Sequence, residues 1–367
     1  MKNTLFKSLL VLTAIILMAS KCKRDTPLPP AGDYQGGFLI LNEGQFMQEN
    51  ATVSFLKEDL NHLEDSIFYK VNGMKLGDIA QSMFTDGDDV YFVINNSDRI
   101  VVANRWTMEK LSIISSGIKS PRYMVKVSDD KAVVSNWGEL FDDDFNPVPD
   151  DYLAWVDLNS KIVIDTMPIA TGPEQMAYSH GKLYVAIQGI GMADNRVAVV
   201  DPADRRILRY IETGYYPTAV VKDDEGYVWV LCQGIPAWMG NEEGGKLVQI
   251  NPETDEVITT VDLPADQHPQ YMAYDNQFLY IIVNHVLHKV PVNDPAINAS
   301  TAAVNLQDFA LPVQTPYGIS VADQYLFIGD AGDFTSPGRI YVFELNSLNL
   351  VTFVNAGYAP KQAQANF

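Results

Sequence analysis

The chain has 367 residues, 47% hydrophobic and 20% charged, which is the balance of a globular protein and not of a disordered one. Its 46 Asp and Glu against 26 Lys and Arg leave a formal net charge of −20, a field that repels phosphate backbones and excludes nucleic acid as the expected partner. Two cysteines rule out a disulfide scaffold and a cysteine-based structural zinc site, and five histidines leave little for histidine-rich metal chemistry.

In chain order, the first segment reads as an address. Lys2 and Lys7 precede an apolar run from Leu9 to Met18, followed by Ala19, Ser20, Lys21 and Cys22. A basic start, a short apolar stretch and small residues make a secretory signal, too short to span a membrane as a helix. The cysteine just past this run predicts a lipoprotein in which Cys22 is acylated and becomes the mature N-terminus, with plain secretion or a retained anchor as the alternative. Lys21 departs from that pattern, standing where a small residue is expected. The chain therefore divides into a signal peptide with its cysteine over 1–22, a polar, proline-rich tether over 23–35, and a folded domain over 36–367.

Beyond the tether, short β-type runs alternate with Gly, Asp, Asn and Pro turns, and no long stretch shows helical periodicity. One phrase recurs: Pro, two residues, an apolar residue, a tight polar turn, then an apolar strand. It begins at Pro121 (PRYM), Pro173 (PEQM), Pro217 (PTAV), Pro269 (PQYM) and Pro316 (PYGI), with a variant at Ala80 (AQSM) and a last copy at Pro360 (PKQA). Successive copies lie 41 to 52 residues apart, the period of a four-stranded propeller blade. The first ordered strand, Phe38 to Asn42, matches a second strand and has no Pro phrase before it, so the residues from Pro360 to Phe367 supply the missing piece. The expected fold is all-β: a seven-bladed β-propeller of four-stranded antiparallel blades, its ring closed by the C-terminal strand pairing with the N-terminal blade.

Turns between first and second strands are tight, as at Asp86 to Asp89 and His180 to Lys182, whereas the segments after second strands are long. Those segments run from Gly44 to Asn50, Trp137 to Asp151, Gly234 to Gly245 and Ala331 to Gly338. Strand direction alternates within a blade, so all four emerge on one face, where binding residues are expected to collect.

Two polar rings converge there. The residues after each Pro position are Gln81, Arg122, Glu174, Thr218, Gln270, Tyr317 and Lys361. At the ends of the second strands stand Asn42, Asn95, Asn136, Gln188, Gln233, Asn284 and Asp330. Amides both donate and accept, so such a rim can hold a polar ligand without charge; a second reading has the same amides capping strand ends. Trp137 and Trp238 lie in the two longest loops, with Phe46, Phe141, Phe334, Tyr123, Tyr271 and Tyr317 nearby, and flat side chains around a polar funnel suit a ligand with broad apolar faces. The candidate ligand-binding residues are Trp137, Trp238, Tyr123, Tyr317, Arg122, Gln270, Asn136, Asn284, Gln81 and Gln233. Trp155 and Trp229, on strands, read as inter-blade core, and Cys232 as a small buried side chain.

No GxSxG elbow, HExxH helix or phosphate-cradling glycine loop is present, and no acid–base pair stands out, so no catalytic residue, metal ligand or required cofactor is assigned and the protein reads as a non-enzyme. His285 and His288 lie three apart on a strand and face opposite sides. Asp142, Asp143, Asp144, Asp150 and Asp151 are clustered oxygen ligands of the kind that could hold calcium, but they lack the spacing of a calcium loop, and the favoured reading is a solvated acidic loop.

The phrases GGFLILNEGQF, GDIAQSM, VYFVINNSDRIVV, PRYMV and VAVVDPADRRI resemble those of the YncE-like seven-bladed propeller lipoproteins of Bacteroidota, the DUF5074 group, over residues 36–367. The group includes cobalamin-binding surface lipoproteins of the BtuG type. That resemblance implies an exported outer-membrane lipoprotein at the cell surface, touching the membrane through its N-terminal lipid only. It implies a bulky nutrient as ligand, a corrinoid such as cobalamin, passed to a TonB-dependent outer-membrane transporter. The alternative is a surface propeller that binds a protein or glycan and carries no small-molecule cargo.

Overall fold

Phe38, Leu39, Ile40 and Leu41 are all buried, and they divide between two neighbours. Phe38 and Ile40 pack with Phe327, Ile340 and Val342, while Leu39 and Leu41 pack with Phe92, Ile94 and Val101. Successive side chains of a strand point to opposite faces, so a sheet wedged between two others needs apolar residues at every position. The same split recurs at Val133 and Val134, and at Trp229 and Val230. This is why the middle strands read as unbroken apolar runs.

The structure, a computed structural model, describes residues 32–142, 144, 146 and 148–367. Cys22, the signal segment, the tether up to residue 31 and Asp143 lie outside the described residues. Among those described, the strands form seven four-stranded antiparallel sheets. Their innermost strands contact one another in succession, with Gln362 of blade 1 bonded to the Met83 backbone of blade 2, which arranges the sheets as blades around an axis. Blade 1 is built from both ends of the domain, with Pro360–Asn366 pairing against Gly37–Asn42 from Gly37 opposite Asn366 to Asn42 opposite Pro360. Its other strands are Thr52–Lys57 and Leu63–Glu64. Blades 2 to 7 start at Ala80, Pro121, Pro173, Pro217, Met272 and Pro316. The closure is locked at its end: the Asn366 carboxamide donates to the carbonyls of Tyr34 and Arg105, and Arg105 Nε donates back to Asn366 Oδ1 at 2.6 Å.

The buried indoles find partners as well as packing. Trp155 Nε1 donates to the Pro202 carbonyl at 3.0 Å and Trp229 Nε1 to Asp223 at 2.8 Å. Cys232 is fully buried, and burial pushes its thiol up to about 12, which suits a packing role and not a nucleophile. Two features were not expected. A short helix, α1 (Ile67–Asn72), joins blades 1 and 2; under two turns long, it leaves no periodic signal. It is held by buried Ile67 and Phe68 and by Asn72, which bonds the Met108 carbonyl and the Lys110 amide. In blade 6 the connection 292–301 links third and fourth strands, so one medium loop emerges on the face opposite the others.

Candidate functional site

The inner strands begin with a register break. In six blades the pairing slips just after the Pro or Ala position, for example between Pro121 and Met124 and between Pro316 and Gly318. A bulge there re-aims a side chain out of the sheet. All seven residues after that position, Gln81, Arg122, Glu174, Thr218, Gln270, Tyr317 and Lys361, line one cavity of about 410 Å³ at the mouth of the axis. A second cavity of about 240 Å³ adjoins it, walled by Met83, Tyr123, Met124, Gln175 and Gln362 among others.

The charges in the mouth are paired with each other. Arg122 Nε donates to Glu174 Oε1 at 2.8 Å, and Gln188 Nε2 adds a bond to the same oxygen at 3.2 Å. Across the cavity Lys361 bonds Glu43 Oε2, and the Tyr317 hydroxyl donates to Glu43 Oε1 at 2.6 Å. Two cations balance two carboxylates, so the mouth is neutral although the chain carries −20. Burial pushes the Glu174 carboxyl up, against the pull of Arg122. It also raises the phenols of Tyr271 and Tyr317, the latter helped by Glu43, so both remain neutral hydrogen-bonding groups. The groups left over are neutral. Among the described residues, the Tyr271 hydroxyl and the side-chain amides of Gln233 and Gln270 have no protein hydrogen-bond partner.

Six of the sequence candidates meet here: Gln81, Arg122, Tyr123, Gln233, Gln270 and Tyr317. Gln81 Nε2 donates to the Tyr123 hydroxyl at 3.0 Å, tying blade 2 to blade 3. The other four do not line the cavity. Trp137 acts from behind: its ring centroid lies 3.9 Å from the Arg122 guanidinium and its Nε1 donates to the Pro173 carbonyl at 3.1 Å. Trp238 is 82% exposed on a single 3-10 turn, Ala237–Met239, away from the mouth. Asn136 is wholly buried and bonds the Val134 carbonyl and the Lys119 amide. Asn284 sits exposed in a tight turn with φ 46°, its Nδ2 3.4 Å from the Asp266 carbonyl.

The second ring therefore divides. Asn95, Gln188 and Gln233 line the mouth, whereas Asn42, Asn136 and Asp330 are buried brackets. Asp330 Oδ1 accepts the amides of Gln314, Thr315 and Gly332. Glu43 is the charged site residue that sequence reasoning missed. Its signal was present: of the residues that follow the second-ring positions, it is the one acid.

Among the described residues no three His, Cys, Asp or Glu side chains converge to hold a metal ion. His285 faces the Gln314 carbonyl and His288 the Thr301 hydroxyl. In the acidic loop Asp142 binds Asn146, Asp150 takes the Glu139 amide, and Asp151 turns inward to the Gly172 amide.

Fold and site together define a seven-bladed β-propeller with a neutral, amide- and phenol-lined pocket at one end of its axis. The chain belongs to the family described as Domain of unknown function (DUF5074), whose model matches residues 36–284. Comparison with the curated proteins found no match. Among solved structures it is similar to the periplasmic gluconolactonase PpgL of Pseudomonas aeruginosa, at 12% identity over 89% of this chain and 98% of that one, with a TM-score of 0.61. It is also similar to a quinonprotein alcohol dehydrogenase-like protein of Bacteroides thetaiotaomicron, at 13% identity over 91% and 79%, TM-score 0.61. Apo AztD of Citrobacter koseri aligns at 13% identity over 90% and 98%, TM-score 0.51. At such identities these likenesses show the fold alone.

Proposed function

We propose that this protein is a surface receptor whose axial mouth captures a bulky polar nutrient, a corrinoid such as cobalamin, for delivery to a TonB-dependent outer-membrane transporter. In this reading Cys22 carries the lipid that holds it at the outer membrane, and it binds without catalysing a reaction. One observation carries the proposal: side chains from all seven blades converge on a single neutral cavity whose unpaired groups are amides and a phenol. A corrin ring bears carboxamide arms around its edge, and amides on the receptor match amides on the ligand in donors and acceptors. About 410 Å³ admits part of so large a molecule, so the ligand lies across the mouth and meets exposed Phe46 and Phe334 at its rim. The rigid blades order little on binding, which favours tight capture.

Isothermal titration with cyanocobalamin tests the reading. Saturable heat at micromolar protein is the expected result; neither heat nor a change in the corrin visible spectrum would overturn a corrinoid ligand. Lipid attachment is tested separately: palmitate label should enter the parent chain and be absent from Cys22→Ser. The protein- or glycan-binding alternative draws on Trp238, 82% exposed, and Phe46, 62% exposed, as loop aromatics. Recovery of a partner on the immobilised protein, with every small cofactor failing to bind, would favour it.

A further inference from the structure

Blade 1 ends differently from the others. Its outer strand is Leu63–Glu64 alone, whereas the other outer strands have four to seven residues. Ser66 then takes a left-handed φ of 57°, which turns the chain off the sheet edge into α1. The chain returns to that edge at Gly77, whose carbonyl accepts the Ala51 amide at 3.2 Å. Beside Thr52 and Val53, where an outer strand would continue, a cavity of about 400 Å³ remains. Phe68, Tyr69, Leu76, Pro337 and Tyr358 give it apolar and aromatic walls.

Asp65 is the polar group in that cavity whose charge is unmatched. Its Oδ1 accepts the hydroxyls of Ser54 at 2.7 Å and Thr52 at 2.9 Å, with Asn42 Nδ2 at 3.4 Å. Its Oδ2 accepts only the adjacent Ser66 hydroxyl, at 3.2 Å. Every donor is neutral. The nearby lysines are engaged elsewhere, Lys70 with Glu64 at 3.0 Å and Lys75 with Glu49 at 3.7 Å. A half-buried carboxylate without a cationic partner among the described residues, walled by aromatic rings, is complementary to an organic cation.

We propose that this seam cavity is a second ligand site, separate from the axial mouth, that takes an ammonium-headed ligand with an aromatic or aliphatic body. The ammonium donates to Asp65 Oδ2 and the body lies between Tyr69 and Tyr358. The proposal is independent of what the axial mouth binds.

An NMR titration of the whole protein with benzylamine, benzyl alcohol and benzoate tests it. Benzylamine should shift signals around Phe68 and Leu76 and bind at least about tenfold more tightly than benzyl alcohol, with benzoate excluded. Asp65→Asn should abolish the preference for the amine while leaving the alcohol bound. Tyr69→Ala, at an exposed position, should weaken benzylamine several-fold and serves if Asp65→Asn fails to fold. Equal binding of amine and alcohol, shifts elsewhere than the seam, or an amine preference that survives Asp65→Asn would each overturn the site.

Discussion

Glu174 shows what burial does to a charge. Its side chain is 5% exposed and that of Arg122 15%, so each relies on the other to offset lost hydration. Glu174→Gln should lower unfolding stability by about 3 kcal/mol, because it strands the guanidinium, while Arg122→Met with Glu174→Met together should recover most of that loss. Denaturant titration of the single and the double variant beside the parent measures it, and a Glu174→Gln chain as stable as the parent would remove the argument. Asp151 makes the converse case. Burial raises its carboxyl from 3.8 to about 6, so folding favours the protonated acid. The stability tied to protonation is full below a pH of about 4 and is lost as pH rises through about 6. Asp151→Asn should therefore melt higher than the parent at a pH of about 7.5 and match it near 4, as thermal scans at both values would show.

At the level of strands, the inner ring is set by how closely neighbouring backbones approach. A Cβ on Gly318 would stand 1.9 Å from the Lys361 carbonyl oxygen, so the innermost strands of blades 7 and 1 touch through this glycine. Gly318→Ala should lower the melting temperature and also disturb the Lys361–Glu43 pair. Gly181, at φ 78° in a tight turn with open space around it, needs glycine for conformation alone, and Gly181→Ala should cost about 1 kcal/mol without touching the mouth. Comparing cyanocobalamin titrations of the two variants separates the effects. Among the loops, Trp137→Ala should weaken axial binding by releasing Arg122, and Trp238→Ala should leave it unchanged. Loss of binding in Trp238→Ala would place the ligand on the 234–245 loop instead.

For the whole molecule, closure decides whether the blades act as one body. Residues 360–367 provide the innermost strand of blade 1, the cation that balances Glu43, and the Gln362 carboxamide that bonds both backbone groups of Met83. Deleting them exposes an apolar sheet edge and should abolish the cooperative melt. A permutant that links Phe367 to Gly36 and opens the exposed 239–242 loop should keep it, since the two ends already lie side by side. Circular dichroism melts compare the two, and a truncated chain that melts like the parent would show closure to be dispensable.

Blade number, the split blade and the inward-facing ring at Gln81, Arg122, Glu174, Thr218, Gln270, Tyr317 and Lys361 were all legible in the sequence. Each rests on a repeat, and a local pattern copied seven times reports a local geometry seven times. The helix Ile67–Asn72 and the cavity behind it were not legible, because they arise where one blade departs from the repeat. Nor was the pairing of Glu43 with Lys361, residues at opposite ends of the chain that meet only because the ring closes. The amides divided for the same reason. Asn95 and Asn136 hold equivalent repeat positions, yet one lines the mouth and the other is sealed behind it. Periodicity specifies where a side chain stands within its own blade; which neighbour neutralises, covers or exposes it depends on groups brought together from other blades, and only the tertiary structure decides that.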